Sequence, residues 1–254
     1  MTKALRDTWL IFLRYFAIFL HNPAWVVIGV LQPALYLLLF APLLKSVASV
    51  PGFPHGGAYN VFVPGLLVQL GMFGAAGVGF SLIAELRNGI IERLRVTPVS
   101  RASLLLGRAL RDIVVLLVQS VVLVVIALPF GLTINLAGVL VVLALIALIG
   151  LATASIAYAT ALRLRSEDSY APLIFTSTLP LLLLSGVLLP LSFAPVWLQA
   201  IARANPLAYA VEAARAVFLG HLADASVVRG VAVMAVLALL ALVAAARQFG
   251  RAVA

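Results

Sequence analysis

The sequence has no cysteine, only two lysines and few charges of either sign. Without cysteine there is no disulfide, no thiol nucleophile and no thiolate-held metal. Acidic residues number 8 and basic residues 17 among 254 positions. Charged residues are therefore 10% of the chain, against about 25% in soluble domains. Hydrophobic residues reach 65%, where soluble domains have about 45–50%. So few charges cannot cover a surface that must meet water. A soluble enzyme, a disordered chain and a fibrous repeat are excluded, and an integral membrane protein remains.

Other patterns are missing as well. A P-loop needs glycine before Lys-Ser or Lys-Thr, but Lys3 is followed by Ala4 and Lys45-Ser46 is preceded by Leu44. His21, His55 and His221 are scattered, with no His-x-x-x-His and no paired carboxylates, and Gly-x-Ser-x-Gly does not occur. No catalytic residue and no metal site is expected. The strand alternation of a membrane barrel is nowhere visible.

What is present is a set of long uncharged runs: 15–44, 46–84, 113–162, 169–202 and 230–246 contain no Lys, Arg, Asp or Glu. A helical span takes about 20 apolar residues, and Pro129 to Asn135 reads as a turn that divides the longest run. The expectation is an all-α integral membrane protein, one domain over 1–254, with six spans near 24–44, 61–84, 113–130, 135–161, 170–190 and 227–246. An even number of spans places both termini on one side. That side then carries Lys3, Arg6, Arg14, Arg87, Arg93, Arg95, Arg101, Arg108, Arg111, Arg163, Arg165, Arg247 and Arg251, while Lys45, Arg203, Arg215 and Arg229 lie on the other. By the positive-inside rule the basic side is cytoplasmic. The net charge of +9 is thus mostly topology, and no nucleic-acid partner is expected. The middles of the spans have no ionisable residue, which argues against ion-coupled transport.

Residues 1–22 read as a helix in the membrane interface. Lys3, Arg6, Asp7, Arg14 and His21 share one arc of the wheel, and Leu5, Trp9, Phe12, Leu13, Phe16, Phe19 and Leu20 the opposite one. Arg14 interrupts the apolar run, and no small-x-small site follows, so a signal peptide is not expected. The loop 85–101 is the richest in charge. Ile90, Ile91, Leu94 and Leu86 recur at helical spacing among Glu85, Arg87, Glu92, Arg93 and Arg95, predicting a short amphipathic helix over 85–96 that stops before Thr97-Pro98. A soluble partner's groove would grip such a helix. Ser100 is placed to cap the following helix.

The run Glu92-Arg93-Leu94-Arg95-Val96-Thr97-Pro98-Val99-Ser100-Arg101 resembles the loop of ABC type-2 exporter permeases, whose pattern ends in Thr-Pro-Val-Ser-Arg. Pro206-Leu207-Ala208-Tyr209 with Arg215 fits the end of that family's signature, and Thr178, Leu181, Leu184, Ser185, Val187, Ala194 and Pro195 fit its start. One departure is Arg87-Asn88-Gly89-Ile90-Ile91-Glu92, where many members carry Glu-Arg-Glu-x-Gly-Thr. The likeness extends to the drug-resistance permeases and covers the whole chain. It implies a non-catalytic membrane subunit in the cytoplasmic membrane of a prokaryote. Two copies would pair and bind two separate cytoplasmic ATPase subunits, which hold ATP and Mg2+ and engage a coupling helix containing Glu85, Arg87, Glu92, Arg93, Leu94, Arg95, Thr97 and Pro98.

In similar proteins the segment before the last span is re-entrant at the outer surface. Residues 191–223 suit this, being too apolar for an exposed loop yet broken by Pro195, Arg203, Asn205 and Pro206. Glu212 and Arg215, three apart, are placed to pair on one helix face, and with Pro206 and Tyr209 they are candidates for an outer gate. Gln32, Tyr36, Gln69 and Phe73 are candidates for the substrate pathway, and Gly71, Ala75 and Gly79 form a stripe for close helix packing. The expected substrate is a hydrophobic drug or lipid-like molecule, with a polysaccharide or lipid-linked glycan as the alternative, and a sodium or cofactor exporter third. A secondary transporter or channel without an ATPase is the reading from another class, and a membrane-embedded enzyme the last. Membrane lipids are partners in every case.

Overall fold

The computed structural model describes residues 3–21, 24–47, 57–95, 99–133 and 136–252. Among these residues all regular structure is helical. The elements are α1 (Lys3–Leu20), α2 (Ala24–Val47), α3 (Ala58–Ala76), α4 (Val78–Arg87), α5 (Ile90–Arg95), α6 (Arg101–Ala127), α7 (Leu136–Leu164), α8 (Glu167–Leu183), α9 (Val196–Ala202), α10 (Pro206–Phe218) and α11 (Ala225–Ala252). Four stretches are long and apolar enough to cross a membrane: Ala58–Arg87, Arg101–Phe130, Leu136–Leu164 and Ala225–Gly250. Val27–Leu39 within α2 is a shorter apolar run. At about 1.5 Å per residue, the long stretches exceed the roughly 30 Å of a hydrocarbon core.

Local chemistry sets several of the boundaries. Ser100 caps α6 as expected, its hydroxyl accepting from Ser103 N at 3.1 Å. At the other end of α6, Pro129 lies in a 3-10 turn and Gly131 adopts φ +98°, which reverses the chain toward α7. Asn60 fastens that corner to the start of α3, donating to Thr133 Oγ1 at 2.7 Å and accepting from Thr133 N at 3.0 Å.

Helix α8 departs from the expected span over 170–190. It has 17 residues, about 26 Å of rise, and turns away after Leu183. The cause is Gly186 with φ +72°, which lets the chain leave the helix directly after its last turn. The third expected span is the later part of a longer helix: α6 begins at Arg101, where the Ser100 cap places its start, and also carries Arg108 and Asp112. Helical spacing continues through those charges because partners neutralise them.

Helix α3 is the core. Seventeen of its 19 residues are buried, apolar on every face, with α2, α6, α7 and α10 packed around it. Small residues let the neighbours close in. A Cβ on Gly71 would lie 3.2 Å from Ile149 Cγ2, and one on Gly79 only 2.1 Å from Tyr170 Oη, while Ala75 is buried. The Gly71-Ala75-Gly79 stripe therefore serves packing inside the chain.

Helix α1 lies obliquely across α6. Between the Ala4–Ser103 and Phe19–Arg111 contacts it advances 15 residues while α6 advances 8. Its faces correct the wheel reading at three positions. Asp7, expected in water, is buried, and Phe12 and Phe19, expected in lipid, are buried too. Leu5, Trp9, Leu13 and Leu20 are exposed. The inward face is chosen by the fit of Ile11 against Gly107, where no side chain stands in the way.

Candidate functional site

The predicted helix over 85–96 is divided. Glu85 and Arg87 are the last turn of α4, the chain turns at Asn88-Gly89 with Gly89 at φ +66°, and a separate α5 carries Glu92, Arg93, Leu94 and Arg95. Thr97 and Pro98 lie outside the described residues. A left-handed glycine ends a helix that periodicity alone would continue. The consequence is that Glu85 faces the bundle while Arg93 is exposed on α5.

Glu85 is the centre of a clasp between three helices. Arg108 of α6 donates from Nη2 both to Glu85 Oε2 and to Tyr15 Oη of α1, and Tyr15 Oη donates to Glu85 Oε2 at 2.9 Å. Arg108 also lies over the Tyr15 ring, 4.6 Å from its centroid. Burial pushes the Tyr15 hydroxyl up to about 12; the positive charge of Arg108 partly opposes this and the negative charge of Glu85 adds to it. One turn along α6, Asp112 accepts from Arg111 Nη1 at 2.6 Å and from Tyr158 Oη of α7. At the surface, Arg87 approaches Glu167 of α8 at 3.5 Å. Charges of both signs thus join α1, α4, α6, α7 and α8 at one end of the bundle. The amino-terminal ends of α1 and α6 and the carboxy-terminal end of α11 meet there too, with Arg101 Nη1 donating to Gly250 O at 2.6 Å.

Above this clasp lies a cavity of about 620 Å³ between α1, α2, α3–α4, α6 and the start of α8. Its charged wall is formed by Arg111, Asp112 and Glu167, and the rest of its wall is mostly apolar. Of the four pathway candidates, Phe73 lines this cavity. Gln69 is buried, its Oε1 without a hydrogen-bond partner. Gln32 and Tyr36 are exposed on α2. Gln119, from α6, closes the deep end against Gly29.

The far end is organised around Arg215 of α10. Its Nε donates to Val61 O at 2.9 Å, and Nη2 donates to Gly186 O at 2.6 Å and Val187 O at 3.1 Å. Glu212 is exposed and makes no ion pair with Arg215, so the expected pairing is corrected. The main-chain carbonyls freed where α8 ends attract the guanidinium more closely than the neighbouring carboxylate does. Pro206 opens α10, with Asn205 capping it through Leu207 N at 3.0 Å and holding Leu181 O at 2.6 Å. Tyr209 Oη donates to Arg203 O at 2.8 Å.

The ABC-2 type transporter family model matches residues 6–219, from α1 to the end of α10. The chain belongs to that family. Within ABC-2 proteins it is similar to the ycf38 protein of Pyropia yezoensis, described as a transport permease. Identity is 32% over 201 residues, covering 78% of this chain and 69% of the relative. The ycf38 protein of Cyanophora paradoxa is 31% identical over 209 residues, with 81% and 71% covered. The daunorubicin resistance ABC transporter permease protein DrrB1 of Streptomyces coeruleorubidus is 25% identical over 212 residues, with 80% and 71% covered. These relatives are permeases, the membrane components of transporters. Family membership and the four long apolar helices make this a multi-pass membrane protein of the ABC-2 type, resembling drug-efflux permeases. The match includes every residue of the clasp and all of the cavity wall.

The sequence reading missed Tyr15, Arg108, Arg111, Asp112 and Tyr158 as interacting residues. Arg108 and Asp112 stand four apart on α6, a spacing that puts them on one face, and that was the available signal.

Proposed function

We propose that this chain is the membrane subunit of an ATP-driven exporter. Two copies pair, and two separate cytoplasmic ATPase subunits supply hydrolysis of ATP with Mg2+. The supporting observation is the arrangement of α4 and α5. Helix α5, with Arg93 exposed and Ile91 buried, follows α4 through a glycine turn, and the last turn of α4 is bound through Glu85 to α1 and α6. A displacement of α5 by a partner is thereby passed to two further helices.

In this reading six segments cross the membrane: α2, α3–α4, α6, α7, α8 with its following turn, and α11. The basic end faces the cytoplasm with both termini, in the inner membrane of a prokaryote. Helices α9 and α10 are re-entrant pieces at the outer surface. Val196 and Trp197 of α9 are exposed apolar residues that suit a membrane setting. Pro206, Tyr209, Glu212 and Arg215 lie on α10, the segment that must yield for a substrate to leave. Phe175 and Leu179 leave α8 exposed and apolar on the side away from Tyr170, and the second copy covers them. The substrate is a hydrophobic drug or lipid-like molecule, in keeping with the daunorubicin resistance of one relative.

The test is co-purification with the cognate ATPase and its hydrolysis rate in liposomes. Changing Glu92→Ala, Arg93→Glu and Arg95→Ala together should lower permease-dependent hydrolysis by about tenfold, the loss expected for a small interface stripped of its central charges. Hydrolysis and co-purification indifferent to that triple change would overturn the coupling role of α5.

A further inference from the structure

We infer that the cavity beside Arg111 is a binding site for one anionic amphiphile per chain, a phosphate-bearing lipid whose headgroup meets the Arg111 guanidinium and whose chain runs along the apolar wall. This site lies within a single copy of the chain and does not depend on which molecule is exported.

Both acids on the cavity wall already have partners. Asp112 spends one carboxylate oxygen on Arg111 and the other on Tyr158. Glu167 has Arg87 at 3.5 Å. The two acids are thus answered by groups of this chain. Arg111 pairs with Asp112 through Nη1 and still has donors to spare. Its Nε is buried and out of a ligand's reach, so Nη2, with no hydrogen bond among the described residues, is the group left for a ligand. Its side chain remains 28% exposed, at the cavity wall. The Phe19 ring, 5.0 Å from the guanidinium carbon, holds the group in place from one side.

A guanidinium with donors left over matches the geometry of a phosphate. The rest of the wall excludes a free ion as the whole answer. Phe73, Val78, Phe80, Val115 and Leu116 present apolar surface, which gains nothing from inorganic phosphate and gains from an acyl chain. The cavity volume of about 620 Å³ falls in the roughly 300–1,000 Å³ range of small-molecule sites. Ile28 and Ser81 on its wall are exposed, so the cavity opens outward along the side of the bundle. An amphiphile enters from the surrounding bilayer with its headgroup at the basic end, where anionic lipid is favoured.

Equilibrium binding to the purified full-length protein, with stoichiometry from native mass spectrometry, tests this. The probes are oleoyl lysophosphatidate, monoolein as its uncharged counterpart, dodecyltrimethylammonium and inorganic phosphate. The expected result is one lysophosphatidate per chain, bound at least about tenfold more tightly than monoolein, with no measurable phosphate binding. R111Q should abolish that preference while shifting monoolein by less than about twofold. S81W, which fills the cavity without touching a charge, should weaken both oleoyl probes. Should R111Q not fold, R111K and S81W decide: R111K must narrow the preference, because an ammonium lacks the fork of donors. Equal binding of charged and uncharged probes, preference for the cation, tight binding of phosphate alone, or indifference to R111K and S81W would each overturn the inference.

Discussion

Arg108 and Arg215 are almost equally buried, with 4% and 8% of their surface exposed, yet they are held in opposite ways. Arg108 is bound by side chains: the Glu85 carboxylate and the Tyr15 hydroxyl, from two other helices. Arg215 is bound by three main-chain carbonyls, one from the first turn of α3 and two from the turn after α8. The two sites are separated by most of the α3–α4 rod. A charge pair between rigid helices holds bodies together and can be released when those bodies move. A guanidinium on carbonyls instead completes irregular backbone, which in an apolar setting has no water to turn to. The basic end is therefore a joint, and the far end is a pinned corner.

Arg215 is the costlier of the two arginines to lose. Arg215→Met takes their donor from the buried turn carbonyls of Gly186 and Val187 and removes a second donor from Val61 O in α3. Hydrogen bonds from a charged donor to such groups are worth about 1.5–3 kcal/mol each before relaxation, so a loss of about 3–5 kcal/mol is expected. Thermal melting in detergent should fall sharply. Glu212→Gln, by contrast, should leave the melting temperature unchanged because Glu212 is exposed and unpaired with Arg215. Equal effects of the two substitutions would mean that the carboxylate, not the backbone, holds the arginine.

The joint should behave differently. Glu85→Gln leaves Arg108 buried without its counter-charge, at a cost of about 2–4 kcal/mol. Replacing both partners, Glu85→Leu with Arg108→Met, removes the unpaired charge and should return most of that stability. Permease-dependent ATP hydrolysis should stay low in the stable double variant, since the link between α4 and α6 is gone. A double variant that regains stability and full hydrolysis would show the clasp to be packing alone.

How far each end could be read from the sequence follows from the same physics. Ser100 as a cap, the reversal near Gly131 and the charged loop between the second and third expected spans are local signals, carried by residues that touch their sequence neighbours. Arg108 and Asp112 are visible as residues, but a run without charge marks only the apolar part of a helix, so hydropathy puts them outside the third span. Their neutralising partners, Tyr15, Glu85 and Tyr158, come from other helices. At the far end the obstacle was different in kind. Glu212 three residues from Arg215 is a sound pattern for an ion pair, but the winning acceptors are backbone carbonyls of Val61, Gly186 and Val187, which no residue type announces. The burial of Asp7 has the same origin: α1 turns the face that fits Gly107, and hydropathy does not encode that fit.

The smallest expected effect concerns pH, and it separates the two ends by direction. Tyr15 has its hydroxyl pushed up to about 12 by burial, from a usual value near 10. A raised value in the folded state means that its contribution is complete below about pH 10 and is lost as pH rises toward 12. The far end titrates on the other side. Asp224 accepts from Ser226 N at 2.7 Å where α11 begins, and hydrogen bonds from Ser226 hold its carboxyl below the usual range. Its contribution is complete above about pH 4 and fades as pH falls through the lowered value. Tyr15→Phe should therefore flatten the alkaline limb of the stability profile and leave the acid limb alone. Asp224→Ala should weaken hydrogen-exchange protection in the first turn of α11 at neutral pH, with no change at the clasp. An alkaline limb left unchanged by Tyr15→Phe would show that the Tyr15 hydroxyl does not carry it.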